Sequence, residues 1–262
     1  MNFVEIDSRN MHSEWSMSEL QSHEYFELYF LLEGTRRLFL GDKIYTVKAP
    51  KLSVIPPFCM HKTEGDAYRR INLNVSPGLL SECELESLSE LSRAPLHTLD
   101  KGAEELLIPL LESALVCNPT PRGDDLALSY THVILHLLTA DGCLKPCNTV
   151  PEAPSGRQDE AIKKIIEYIN KHYREDFSID LLCRTFFISK NTLSREFHAL
   201  MRCSVMEYRT FVRISRAKEL LAEGTMSMEK IAEECGFSSA NYFSLIFKRN
   251  VGIAPTYYRK SK

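Results

Sequence analysis

The chain has 262 residues, 44% of them hydrophobic and 26% charged, and a formal net charge of −3. That length holds about two domains with a full core in each, so folding requires neither disulfide staples nor a structural metal. No apolar run approaches the ~18 residues that span a bilayer, the richest being "LYFLL" at 28–32, which excludes a membrane-spanning role. The start, "MNFVEIDSRN", is acidic and poor in apolar residues, unlike a secretory leader, and the eight cysteines are scattered. Reduced thiols in a cytoplasmic protein are therefore expected.

Upstream of about residue 80 the pattern is that of strands: "FELYFLLEG" at 26–34, "RRLFL" and "KIYTV" either side of Gly41-Asp42, "KLSVIPP" at 51–57 and "INLNV" at 71–75. Gly41-Asp42 suits a tight hairpin, and Ile71, Leu73 and Val75 alternate with asparagines as on a strand with one wet face. A small antiparallel barrel or sandwich is predicted over 1–95. Between 96 and 145 the period becomes helical. Leu106, Leu110 and Leu111, then Leu128, Val133, Leu135 and Leu138, define two helices broken at "CNPTPRGD". Such a hairpin packs antiparallel, and its second helix, apolar on more than one side, suits packing on both its own barrel and another subunit, with burial within the chain as the alternative. His132 and His136 lie i, i+4 there, but Val133 stands where a zinc protease needs Glu, and Cys143 and Cys147 lack zinc-knuckle spacing.

"PCNTVPEAPSGRQ" at 146–158 has linker composition and divides two regions of opposite charge. Residues 157–262 hold 19 Lys and Arg against 13 Asp and Glu, whereas 1–156 hold 13 against 22. A basic C-terminal third suits a polyanionic partner. Over 159–262, Ile162, Ile165, Ile166 and Ile169 mark one helix face, and a duplicated pattern follows. "SIDLLCRTFF" from Ser178 and "SMEKIAEECG" from Ser227 each open on a capping serine with an acid two residues on. Small residues Cys183 and Ala232 occupy equivalent places, where a following helix must approach closely.

After a turn come "ISKNTLSREFHAL" at 188–200 and "FSSANYFSLIFKR" at 237–249. Leu193 and Phe197 in the first copy, and Phe243 and Phe247 in the second, anchor one face of a helix at i, i+4. The other face is left to short, polar or basic residues. Such a helix fits the major groove, ~12 Å wide, where base edges carry a distinguishable code. Arg195 suits a guanine, and Asn191 or Asn241 an adenine. Ser189, Lys190 and His198, with Ser239, Lys248 and Arg249, suit phosphates. "EYRTFVRISRAKELLAEG" between the units reads as a rigid spacer of about fifteen residues, roughly 22 Å of helix.

On these residues, 160–260 resemble the DNA-binding domain of the AraC/XylS family of transcriptional regulators, and "IAEECGFSSANYFSLIFKRNVGIAPTYYR" at 231–259 follows that family's signature almost throughout. The resemblance implies sequence-specific binding of double-stranded DNA through both helices, with Asn191, Ser194 and Arg195, and Ala240, Asn241, Ser244 and Leu245, facing bases. Leu245 stands where many members have arginine, so the second helix is expected either to read fewer bases or to make an apolar contact with a thymine methyl. Arg202 replaces the glycine that the second copy keeps at Gly252.

"SHEYFELYFLLEG" and "IPPFCMH" resemble the cupin pattern, in which His23, Glu27 and His61 would share a barrel. The pattern's additional His falls on Gln21, and Phe58 replaces a glycine, so no metal and no cofactor is expected. A polar pocket formed by His23, Glu27, Arg36, Tyr45 and His61 among Phe26, Phe39 and Phe58 is expected instead, suited to a polyol, sugar or other polar metabolite. The predicted architecture is α+β in two domains, a cupin-like barrel with helical hairpin and an all-α domain with two helix-turn-helix units. The predicted function is a non-enzymatic, ligand-responsive regulator, a homodimer with RNA polymerase as a further partner. The alternatives are a metal-dependent cupin enzyme and a cysteine-based redox sensor.

Overall fold

The computed structural model describes residues 3–13, 15–17, 20–41, 43–117, 123–140, 143–147, 157–201 and 203–260. The linker stretch 148–156, Asp42 of the expected hairpin and Arg202 lie outside them. Among the described residues no helix is long and apolar enough to cross a membrane.

The N-terminal domain is built on strands β1 (Val4–Met11), β2 (Trp15–Ser16), β3 (Phe26–Leu40), β4 (Lys43–Lys48), β5 (Lys51–Ile55), β6 (His61–Gly65) and β7 (Tyr68–Val75). β3 is the hub. Its first half pairs with β5 and β7, its second half with β4 and β6, all antiparallel. The two strands expected at 26–34 and 36–40 are thus one, bent where the β3–β7 register shifts between Leu31 and Glu33. Gly34 follows the bend at φ +91°, and a Cβ there would stand 2.3 Å from the Ala67 carbonyl oxygen, so the corner admits only glycine.

Alternation along β3 and β7 separates two cores. Phe26, Leu28, Phe30, Ile71, Leu73 and Val75 face outward into a cluster covered by helices, whereas Tyr29, Leu31, Leu38, Tyr45 and Tyr68 fill the barrel. The asparagines of "INLNV" share the inward face and are buried. The wet face expected there is therefore the inside of the barrel.

Three helices close the outer face: α1 (Glu82–Arg93), α2 (Lys101–Cys117) and α3 (Gly123–Thr139). α1 starts at a capping box formed by Ser81 and Glu84. The hairpin expected over 96–145 is α2 with α3, but strands β8 (Leu96–Leu99) and β9 (Leu144–Pro146) flank it and extend the barrel sheet from β5. It is therefore inserted between two strands of the N-terminal domain. α2 buries Ala103, Leu107, Leu111 and Ala114, so of the three predicted leucines Leu111 is buried and Leu110 half-buried, whereas Leu106 is 55% exposed. His132 is a packed residue: its Nδ1 meets Glu84 Oε1 at 2.6 Å.

The C-terminal domain comprises α4 (Arg157–His172), α5 (Ile179–Thr185), α6 (Lys190–Met201), α7 (Val205–Glu223), α8 (Met228–Glu234), α9 (Ala240–Val251) and α10 (Pro255–Lys260). It has two cores. Ile162, Ile165, Ile166 and Ile169 of α4 pack with Leu182, Leu193, Phe197 and Tyr208, and Ile214 to Leu221 of α7 pack with Ile231, Phe243, Phe247 and Tyr258. α7 belongs to both. At 19 residues it is longer than the expected spacer, about 28 Å.

The first of these cores also contains Leu20, Phe39 and Ile44 of the barrel. Tyr208 Oη donates to the Gly41 carbonyl at 3.4 Å, Ser215 Oγ to that of Phe58, and Lys218 Nζ to that of Ser22 at 3.4 Å. The N-terminal domain is therefore seated on the first subdomain and on the spacer helix. Phe58 takes φ +64°, the left-handed conformation for which glycine is the usual choice.

Candidate functional site

Each helix-turn-helix unit begins from a serine cap. Ser178 Oγ accepts from Leu181 N and Ser227 Oγ from Lys230 N, satisfying free amides of α5 and α8. Ser189 and Ser239 cap the second helix of each pair, accepting from Thr192 N at 3.2 Å and Tyr242 N at 3.1 Å. Their oxygens thus fix the helix start, and Ser189 also hydrogen-bonds Thr192 Oγ1 at 2.8 Å.

Leu193, Phe197, Phe243 and Phe247 are fully buried, which turns the opposite faces of α6 and α9 outward. Asn191, Ser194, Arg195 and His198 on α6, with Lys190 at its first position, are exposed. On α9 Asn241, Lys248 and Arg249 are exposed, Leu245 is 65% exposed, and Ala240 and Ser244 are half-buried. Both outward faces are open to solvent, and Tyr242 adds an exposed ring to the second. Arg195 lies along its own helix, its exposed side chain paired with Glu196 at 2.7 Å.

The helices are held as one object by two buried arginines. Arg209 Nε donates to the Tyr173 carbonyl and its NH2 group to Asp176 Oδ1; Arg213 Nε donates to Tyr173 O at 2.6 Å and its NH2 group to Arg174 O at 3.1 Å. Burial, with the neighbouring Arg209 charge, brings the Arg213 pKa down to about 10. The same Arg174 backbone is the floor under the second turn: a Cβ on Gly236, at φ +74°, would come within 2.4 Å of its oxygen. Segment 173–176 thus links the spacer to the second unit. These two cations are internal, so the basic charge of this region overstates what is available to phosphates.

Within the barrel, a cavity of about 270 Å³ is lined by polar groups, among them Asp7, Tyr25, Glu27, His61, Arg70 and Asn72. Of the five expected pocket residues, Glu27 and His61 are here. His23 borders instead a cavity of about 340 Å³ between the domains, with Phe211, Ile214 and Lys218 of α7 opposite. Arg36 is wholly buried and structural, donating to the Gly65 carbonyl at 2.8 Å over the Tyr68 ring, and Tyr45 belongs to the barrel core. Neither lines either cavity. Sequence reasoning missed Arg70, Asn72 and Asn74, whose signal was the alternation along β7 read on the wrong side.

Asn72 Nδ2 donates to Glu27 Oε1 at 2.6 Å and Asn74 Nδ2 to Glu5 Oε2 at 3.3 Å, while both amide oxygens are buried without a partner. Buried acceptors of this kind suit a ligand with hydroxyl or amine donors. Burial pushes the Tyr25 phenol up to about 12, so it remains a neutral hydroxyl.

His23 Nε2 and His61 Nε2 meet the same oxygen, Glu27 Oε2, at 2.9 and 3.3 Å. Burial alone would raise the Glu27 pKa, but the hydrogen bonds to the two histidines outweigh it and hold the carboxyl far below its usual range. Burial lowers the His23 pKa; at His61 it acts the same way and the Glu27 contact overcomes it.

Two family models match this chain. Residues 5–133 match the AraC-like ligand binding domain and residues 182–261 a helix-turn-helix domain. The protein belongs to the AraC family. The HTH-type transcriptional activator RhaR of Salmonella dublin is 28% identical over 108 residues, 41% of this chain and 38% of that protein. The chain thus spans well under half the length of such relatives. An uncharacterized HTH-type transcriptional regulator, YdiP of Escherichia coli strain K12, is 24% identical over 89% of this chain and 78% of its own. The DNA-binding domain of AdpA, solved in complex with a target DNA, is 25% identical over 38% of this chain and 91% of that one, with a TM-score of 0.37. The architecture is that of the family, an N-terminal antiparallel cupin-like domain and a C-terminal helical domain with two helix-turn-helix units.

Proposed function

We propose that this AraC-family protein is a cytoplasmic, ligand-responsive regulator that binds specific double-stranded DNA sequences and carries out no catalysis. What carries the reading is the pair of capped helices, each anchored by a buried i, i+4 pair and each presenting an open polar face. Asn191, Ser194 and Arg195 read one segment of major groove and Ala240, Asn241, Ser244 and Leu245 the next, while Lys190, His198, Lys248 and Arg249 hold phosphates. Ser189 and Ser239 present their helix starts to the backbone.

The effector is a small polar molecule in the barrel cavity, where Asn72 and Asn74 offer unused acceptors. Residues 20–25 form the wall between the two cavities, since Gln21 and Tyr25 line both. A ligand that moves this wall alters the seat of α7, whose Lys218 reaches Ser22 and whose Ser215 reaches Phe58. The response requires differential affinity of the ligand for two arrangements of the domains. A homodimer forms through α2 and α3, which leave Leu106, Val116, Leu126 and Val133 exposed. Contact with RNA polymerase then follows at the promoter.

Selection of bound genomic fragments with and without candidate polyols and sugars tests the reading. Sequence-specific enrichment that shifts with one ligand supports it; the same fragments at the same affinity with every ligand that binds the barrel contradict ligand response. The redox alternative is poorly served by Cys203 and Cys235, buried thiols pushed up to about 12 by burial.

A further inference from the structure

We propose that the effector held in the barrel carries a protonated amine, bound by the side-chain oxygens of Asn72 and Asn74. The inference rests on the barrel cavity being the effector site and names the chemical class that the site takes.

Asn72 and Asn74 are 7% and 6% exposed, both line the cavity, and the amide oxygen of each is buried without a partner. The orientation of both amides is fixed by their neighbours. Asn72 Nδ2 faces Glu27 Oε1 at 2.6 Å and Asn74 Nδ2 faces Glu5 Oε2 at 3.3 Å. A carboxylate only accepts, so in each amide the nitrogen is turned to it and the oxygen is the atom left over. An amide that donates to a charged acceptor is polarised, and its oxygen accepts more strongly as a result.

The charges around these oxygens are sorted along the strands. In the pairing of β1, β7 and β3, Asn74 lies between the exposed Glu5 and the buried Glu27, and the next inward step places Asp7 beside Asn72. One step further sets Arg9 opposite Arg70, so the arginines stand at the far end of the sheet face, and Arg70 is tied to Asp7 at 2.8 Å. Glu27 gives Oε2 to His23 and His61 and Oε1 to Asn72. At Tyr25, also on the cavity wall, burial and then the charges of Glu27, Glu5 and Asp7 raise the phenol to about 12, so the potential at that end of the cavity is negative.

Donor count decides among ligands. An ammonium group offers three hydrogens and no lone pair, whereas a hydroxyl offers one hydrogen and brings two lone pairs that need donors of their own. Two unpartnered acceptors flanked by carboxylates match the first. Alternate residues of a strand stand about 7 Å apart, close to the ~6 Å that two N–H···O bonds from one nitrogen span, which puts both oxygens within reach of a single ammonium. The cavity, about 270 Å³, lies just below the range that holds drug-sized molecules, so the amine is a small one.

The test is titration of the full chain, followed by saturation-transfer NMR, with two matched pairs: glucamine against sorbitol, and ethanolamine against ethylene glycol. Each amine is expected to bind at least ~10-fold more tightly than its hydroxyl counterpart, the difference made by a hydrogen bond with a charged partner. Asn72→Leu and Asn74→Leu should each weaken both amines by ~10-fold or more. Asn250→Ala, on the wall of the interdomain cavity, should leave them unchanged. Thermal melting identifies any variant that fails to fold, in which case Asn72→Ser or Asn74→Ser, too short to reach the amine, replaces it. Equal affinity within each pair, amine binding untouched by either asparagine variant, or no binding by either amine would overturn the proposal. Amine binding that leaves the selected DNA fragments unchanged would support it and count instead against ligand response, so the two readings fail separately.

Discussion

The two helix-turn-helix units share a pattern but not a setting. The second has its own core, a glycine at each left-handed position, Gly236 and Gly252, and a turn pressed onto the Arg174 backbone. The first shares its core with Leu20, Phe39 and Ile44 of the barrel, and at the position equivalent to Gly236 it carries Phe187, at φ +52° and 86% exposed. Duplication preserved the means of presenting a helix, while the surroundings made one unit part of the seam with the barrel and left the other braced by the spacer and the Arg174 backbone.

The largest expected effect breaks the brace. Gly236→Ala places a methyl against backbone that cannot yield and keeps a left-handed φ, costing about 2–4 kcal/mol of stability in the second unit. Urea unfolding followed by far-ultraviolet circular dichroism checks it; a loss below about 0.5 kcal/mol would show that the turn is not seated on Arg174. Next come the reading faces. Arg195→Ala should cost ~1–3 kcal/mol on the selected site and relax one base position, whereas Lys248→Ala should weaken all sequences alike and flatten the salt dependence. Equal losses on specific and random duplexes for both would remove the distinction between base and phosphate contacts.

A smaller effect of opposite sign belongs to the first turn. Phe187→Gly relieves a left-handed non-glycine residue without uncovering a core, and should raise stability by about 0.5–1 kcal/mol in the same unfolding assay. A loss of stability would mean that the ring packs against something in solution. The smallest effect is on pH dependence. Burial would raise the Glu84 pKa, but hydrogen bonds with His132 and Ser81 prevail and lower it. Its folded pKa lies below its unfolded one, so its contribution is full above the ordinary carboxylate range and fades as pH falls through it. Melting temperatures across that range should fall less steeply in Glu84→Gln than in the parent chain.

The DNA-binding domain was largely legible because its determinants are local. Serine caps, the isoleucines of α4 and the buried i, i+4 pairs each fix a helix and its face without reference to the rest of the chain. The barrel was legible in its strands and less so in its sides, since alternation along "INLNV" separates two faces but does not say which is enclosed. That ambiguity hid Asn72 and Asn74, while Arg36 and Tyr45 were polar groups on strands of the barrel whose burial in its structure only the assembled fold shows. α1 had a readable start in Ser81 and Glu84, whereas the two- to four-residue strands β2, β8 and β9 are too short to show a period. The seam was illegible: Leu20, Phe39 and Ile44 look like ordinary barrel residues, and only the assembled chain shows them completing a helical core.

The central claim is that two recognition helices, spaced by one rigid helix, read neighbouring major grooves on one face of the duplex. Selection from a random duplex library with the full chain tests it most directly. Two enriched blocks with centres about 10 base pairs apart are predicted, the block read by α6 changing alone in Arg195→Ala. A single block, blocks at no fixed spacing, or no enrichment would contradict it.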